Sequence, residues 1–133
     1  MYYEFTDGLS EEDFEEELGE MAHLWVEYSK LPYRVMIDHD GIKRKRRNNS
    51  PRIMISIKDN YKLVVPISID RENPEILIDK EVSKFEIVKE WIKFNYEILI
   101  KHWNRKIDDL DALSLLKERS RIFYENNLFN RDG

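Results

Sequence analysis

Wound at 100° per residue, residues 83–103 (SKFEIVKEWIKFNYEILIKHW) gather Glu86, Lys89, Glu90, Lys93, Glu97 and Lys101 into one arc about a third of the circumference wide, and almost everything else is apolar. This spacing predicts a helix over about 83–104. Its start reads as a capping box, with Ser83 bonding the amide of Glu86, Glu86 reaching back, and Val82 stapling onto Ile87. Phe85, Val88, Trp91, Ile92, Leu99 and Trp103 make one stripe, and Ile87, Phe94 and Ile98 widen it to a second side. The helix therefore needs two packing partners, a sheet and another helix. Its charged strip, laced at spacings of three and four, reads as a solvated face.

The same reading taken along the chain predicts the other elements. After an aromatic-rich entry with a turn at Asp7 and Gly8, Ser10 caps a short acidic helix through Gly19, whose apolar side is Leu9, Phe14 and Leu18. Ala22, Leu24, Val26 and Tyr28 alternate with His23, Trp25 and Glu27, and Tyr33, Val35 and Ile37 alternate likewise, so both stretches read as strands. Asp40-Gly41 is a hairpin turn pair whose return arm, IKRKRRNNSPR, is too polar for a core strand.

RIMISIK and YKLVVPISI are the clearest strands. A two-residue loop at Asp59-Asn60 would put Ile53, Ile55 and Ile57 on the opposite face from Leu63, Val65, Ile67 and Ile69, whereas an odd-length loop or a bulge unites them. The odd-length loop or the bulge is expected, with Pro66 at an edge or an irregularity because it cannot donate to a ladder. A polar loop with Asn73-Pro74 and a short apolar run, residues 76–78, lead to the long helix. Asp108 and Asp111 then start a last helix, about 109–126, with Leu110, Leu113, Leu116 and Phe123 at helical spacing and a tail expected to fray.

These elements predict one α+β domain: a mainly antiparallel sheet of about four or five strands, packed by the long helix and the shorter carboxy-terminal one. At 133 residues one domain can bury roughly two-thirds of the surface of its unfolded chain. Charged residues make up 37% of the chain against roughly 25% in ordinary domains, so its surface is densely charged. With no cysteine, disulfides, thiolate metal sites and cysteine nucleophiles are excluded. With neither a basic, apolar leader nor an apolar run near 18 residues, a soluble cytoplasmic protein without membrane partners is expected.

The net charge of −5 conceals a polarity. Residues 1–29 hold ten acidic and no basic side chains, and residues 30–62 hold ten basic and three acidic. An acidic segment, a basic hairpin segment and a helical part over 82–127 thus follow one another within the single domain. The charged blocks either face each other or are offered to a partner.

The stretch NSPRIMISIKDNYKLVVPISIDRENPEILI, followed by EIVKEWIKFNYEILIKHWNRKID, resembles a family of small uncharacterised bacterial and phage proteins. In these a β-rich front half runs into a terminal helix, matched here at Glu90, Trp91, Asn95, Leu99, Trp103 and Asn104. The resemblance spans roughly the middle and last thirds. It implies an architecture and an accessory role on mobile elements, some members lying near suspected toxin and antitoxin pairs, and it implies no catalytic residue.

Two charged segments are candidate sites. Lys43, Arg44, Lys45, Arg46, Arg47 and Arg52, interleaved with Asn48, Asn49 and Ser50, can lie along phosphates. The plainer reading, a solvated loop or a complement to the acidic segment, outweighs it because the whole chain is acidic. Glu11, Glu12, Asp13, Glu15, Glu16, Glu17 and Glu20 can imitate a phosphate backbone or meet a basic partner, although such runs are more often solvated helix faces. Asp38-His39-Asp40 reads as turn chemistry rather than a metal site, and His23 and His102 read as core or rim histidines.

Neither a phosphate-binding glycine loop, a histidine pair at ligand spacing nor a nucleophile elbow occurs, so neither cofactor, metal nor linear catalytic motif is predicted. The expected function is a non-enzymatic accessory protein that binds nucleic acid or a protein partner through charged surfaces. A small RNA-directed toxin with His, Arg and Glu drawn from distant strands is the first alternative. An inhibitor of a defence nuclease, acting through the acidic segment, is the second.

Overall fold

The computed structural model describes residues 4–6, 8–38, 50–58 and 63–131, and among these it holds four strands and five helices. Leu9 N donates to Thr6 O at 3.0 Å around Gly8, whose φ of 83° suits the residue without a Cβ. The acidic helix α1 (Glu11–Glu20) follows, capped as its sequence predicts: Ser10 Oγ accepts from Asp13 N at 3.1 Å.

Strands β1 (Ala22–Leu24), β2 (Arg34–Ile37), β3 (Arg52–Lys58) and β4 (Leu63–Ser68) form one antiparallel sheet in sequence order. Ile53 lies opposite Ile67 and Ile55 opposite Val65, and between Ser56 and Lys58 the register slips, so that Lys58 faces Leu63. The bulge thus unites the two aliphatic sets on one face; the Asp59 to Tyr61 loop lies outside the described residues. Pro66 sits on β4, whose outer side takes only short pairings from residues 75–77, including Leu77 N to Pro66 O at 2.9 Å.

The predicted strand over residues 22–28 is corrected. It ends at Leu24, and Val26–Ser29 form a single helical turn, α2. Lys30 closes it in the left-handed conformation at φ 64°, and Ser29 Oγ accepts from Leu31 N at 3.1 Å. Alternation alone could not reveal this, because Val26 and Tyr28 are 47% and 38% exposed and bury no strand face.

The long helix is also corrected. It breaks at Asn95 into α3 (Phe85–Phe94) and α4 (Tyr96–Trp103). Its start is not capped by Ser83; Lys84 takes the cap position at φ 58° without a side-chain bond, and Ser83 O instead accepts from Tyr33 Oη. Both predicted packing partners are present. Val88, Trp91, Ile92 and Leu99 share one core with Val35, Ile53, Ile55, Val65 and Ile67 of the sheet and with Ala112, Leu116 and Phe123 of α5 (Asp109–Arg131). Full burial of each such aliphatic side chain contributes about 1.5–3 kcal/mol.

Helix α5 begins as predicted, Asp108 Oδ1 accepting from Asp111 N at 2.8 Å, and runs to Arg131, past the expected end near 126. Its buried stripe is Ala112, Leu116, Ser120 and Phe123, which leaves Leu110 79% exposed. Leu110 stands about 120° around the helix from the centre of that stripe.

The second face of the sheet carries a separate core. Phe14, Leu18 and Met21 pack on Met36, Met54 and Val64, so α1 covers one face while α3, α4 and α5 cover the other. Among the described residues no helix is long and apolar enough to cross a membrane.

Candidate functional site

Because the strands run in register, their side chains form cross-strand rows. On the α1 face, His23, Met36, Met54 and Pro66 make one row, and Arg34, Ser56 and Val64 make the next. Continuing the β1–β2 register by one residue brings Trp25 opposite Arg34. Helix α1 packs on Met36, Met54 and Val64 and leaves the Arg34 end of the second row uncovered. The uncovered corner is a cleft of about 700 Å³ between α1 and the sheet, bordered by Glu15, Gly19, His23, Trp25, Arg34 and Ser56.

Each wall has a local cause. His23 Nε2 donates to Leu18 O at 2.9 Å and so ties the end of α1 to β1. A carbonyl only accepts, so a neutral His23 ring carries its proton on Nε2 and its lone pair on Nδ1. Trp25 leaves the sheet where β1 turns into α2, and the residue remains 49% exposed. The Arg34 guanidinium carbon lies 5.0 Å from the Trp25 ring centroid, a cation–π arrangement, and the His23 ring lies 6.0 Å from that of Trp25. The Arg34 Nε is buried and has no hydrogen-bond partner among the described residues. A buried donor left without a partner costs about 1–3 kcal/mol, more when charged.

Of the charged segments, the acidic one borders this corner through Glu15. Glu11, Glu12, Glu15, Glu16 and Glu20 are exposed on α1, Asp13 is partly buried, and Glu17 is buried at 8% exposure on the helix's inner side. Lys43, Arg44, Lys45, Arg46 and Arg47 lie outside the described residues, as do His39, Asp40 and Gly41. Arg52 is described and buried at 3% exposure, with Nε donating to Ser50 O at 3.3 Å. It shares the α1 face with Met54, and continuing the β2–β3 register sets buried Asp38 opposite it. Arg52 and Glu17 are therefore interior residues rather than parts of an exposed basic or acidic surface.

His102 belongs to the other side of the molecule. It is 1% exposed, and its Nε2 donates to Asp109 Oδ1 at 2.6 Å, joining the end of α4 to the start of α5. Among the described residues no group of three or more histidine, aspartate or glutamate side chains could hold a metal ion.

The search for relatives among protein-family models, curated proteins and solved structures returns no match. Function is therefore argued from the site itself. Neither Trp25, Arg34 nor Ser56 stands out as a site residue in the sequence. Their signal was the second alternation: opposite the clean aliphatic set, the strands carry a mixed set, His23, Arg34, Met36, Met54, Ser56 and Val64, of which His23 and Arg34 stay partly exposed.

Proposed function

We propose that this chain is a non-enzymatic binding protein that engages a protein partner at the cleft between α1 and the open corner of the sheet. One observation carries this reading: a half-exposed Trp25 set beside Arg34 in a cation–π arrangement at the cleft. Trp, Tyr and Arg supply most of the energy at protein interfaces, and a partner's carbonyl or carboxylate can accept from the terminal amines of Arg34. The exposed carboxylates of α1 beside the cleft favour a partner with cationic flanks and disfavour a polyanion there. Nucleic acid therefore ranks below protein at this cleft and rests on Lys43, Arg44, Lys45, Arg46 and Arg47. The resemblance of the middle and last thirds supports an accessory role of bacterial or phage origin.

Selection of a displayed random-peptide library tests the reading. Peptides enriched on the chain but not on its Trp25→Ala, Arg34→Gln double variant support it; enrichment indifferent to both residues, or none, overturns it. In parallel, DNA or RNA binding that weakens steeply with salt and is lost on neutralising residues 43–47 would return the nucleic-acid reading to first place.

A second reading, a small RNA-directed toxin, has one observation in its favour: Glu15, His23 and Arg34 line the same cleft. The Nε2 of His23 is already committed to Leu18 O, which leaves Nδ1 as its only site for proton abstraction. RNA degradation by the purified chain, abolished by His23→Ala, would establish this reading; intact RNA removes it.

A further inference from the structure

We infer that the Arg34 corner of the cleft is a subsite for a single carboxylate carried on an apolar group. The inference rests on reading the cleft as a partner-binding site and specifies the chemistry of what enters it. The guanidinium carbon stands 5.0 Å from the Trp25 ring centroid and Arg34 lines the cleft, so the indole flanks the guanidinium and its terminal N–H groups remain to be used. The Nε is enclosed, so a carboxylate in the cleft meets the terminal amines of Arg34, whose N–H groups match its two oxygens in a fork of parallel hydrogen bonds. Ser56, directly across the ladder from Arg34 and also lining the cleft, adds a hydroxyl donor beside it.

The remainder of the cavity sets the rest of the ligand. Leu18, Val26, Pro32, Met36 and Val64 line it, and about 700 Å³ falls within the range of roughly 300–1,000 Å³ for small-molecule and side-chain pockets. Glu15 lines the same cleft, and Glu11, Glu12, Glu16 and Glu20 are exposed on the helix above it. That field tolerates one negative charge held by Arg34 and repels a dianion or a phosphate chain. The ligand chemistry is thus an apolar body ending in one carboxylate. A free aromatic or aliphatic acid and the carboxy terminus of a peptide with an apolar last residue both present it.

Two-dimensional NMR on the full chain tests this with 3-phenylpropionate against 3-phenylpropionamide, and with a hexapeptide ending in Leu as the free acid against its amide. The acids should shift the Trp25 indole N–H and the Arg34 Nε–H saturably, and the amides should bind about tenfold more weakly or worse. Arg34→Gln should erase the difference between acid and amide. Gly19 lines the cleft, and a Cβ built there meets nothing within 4 Å, so Gly19→Phe should block the acids while leaving the rest of the spectrum in place. A peptide acid at least tenfold tighter than phenylpropionate identifies a chain terminus as the source; equal affinities identify a free acid. Equal binding of acid and amide that still depends on Trp25 overturns the carboxylate subsite but leaves the partner-binding cleft. Inorganic phosphate competing as well as the acids also overturns it, and no saturable shift with any probe overturns the subsite outright.

Discussion

Arg119 donates from Nε to Asn95 Oδ1 at 3.2 Å, so a side chain of α5 closes the break between α3 and α4. The same guanidinium donates to the Phe94 carbonyl and lies 4.3 Å from the centroid of the Phe94 ring. Asn95 is 1% exposed, and its Nδ2 donates to Trp91 O at 3.0 Å. The interrupted backbone is thus supplied with partners from within the fold.

Arg119→Met removes two charge-assisted donors and is expected to destabilise the chain by about 1.5–3 kcal/mol, and Asn95→Ala by about 1–3 kcal/mol. Because the two residues share a bond, the double variant should fall short of the sum by at least about 0.5 kcal/mol in urea unfolding. Strict additivity would show that Arg119 does not hold the break.

Trp91 and Ser120 form a second buried pair, Nε1 donating to Oγ at 2.9 Å with both residues at 0% exposure. Ser120→Ala should cost about 1–3 kcal/mol by stranding the indole N–H. In a Trp91→Phe background the same change should cost much less, since there is no donor left to strand. An unchanged cost in the two backgrounds rules out the hydrogen bond as the cause.

The β3–β4 bulge makes neighbouring isoleucines unequal. Ile55 is fully buried opposite Val65, and Ile55→Ala should cost about 2–5 kcal/mol. Ile57 sits at the register shift and is only partly buried, so Ile57→Ala should cost clearly less. Equal losses in thermal unfolding would contradict the register.

Backbone positions offer changes in the other direction. Gly19→Ala, inside α1 and facing open space, should stabilise by about 0.5–1 kcal/mol. Lys30 closes α2 at φ 64°, so Lys30→Gly should be neutral or stabilising and Lys30→Val destabilising by about 1–2 kcal/mol. A more stable Val variant would be incompatible with a left-handed Lys30.

Two exposed carboxyls are held below their usual range. Asp70 accepts backbone hydrogen bonds from Asn73 and Glu72, and Glu118 is hydrogen-bonded to and attracted by Arg121, whose own guanidinium is shifted up. With folded values lowered, each contribution to stability is present above the ordinary carboxylate range and is lost as pH falls through the lowered value. Carboxyl carbon NMR titration should give midpoints for both below those of unfolded peptides. Asp70→Asn and Arg121→Gln should reduce the acid dependence slightly, and ordinary midpoints would refute the two contacts.

Much of this fold was legible locally. The caps at Ser10 and Asp108, the union of two aliphatic sets by an odd residue, the edge position of Pro66 and the two packing partners of residues 83–103 all follow from short-range hydrogen bonding and side-chain periodicity. These depend on residues a few positions apart and so are written in the chain itself. The cleft was much less legible. Alternation says that His23, Arg34 and Ser56 share a face once the strands pair, but it does not say how much of that face a ten-residue helix covers.

What only the tertiary structure decided were features whose partners lie far apart in sequence. Asn95 interrupts an otherwise continuous helical pattern where Arg119, 24 residues later, satisfies it. Trp25 leaves an apparent strand because Lys30 turns the chain left-handed and Tyr28 then meets Lys117, whose Nζ stands 3.9 Å from its ring centroid. Arg52 and Glu17, two members of opposite charge runs, are buried because packing α1 on the sheet encloses their positions. Periodicity determines which side of an element is apolar; the docking of whole elements determines which polar groups are enclosed, and which, like Arg34 Nε, are left without an acceptor.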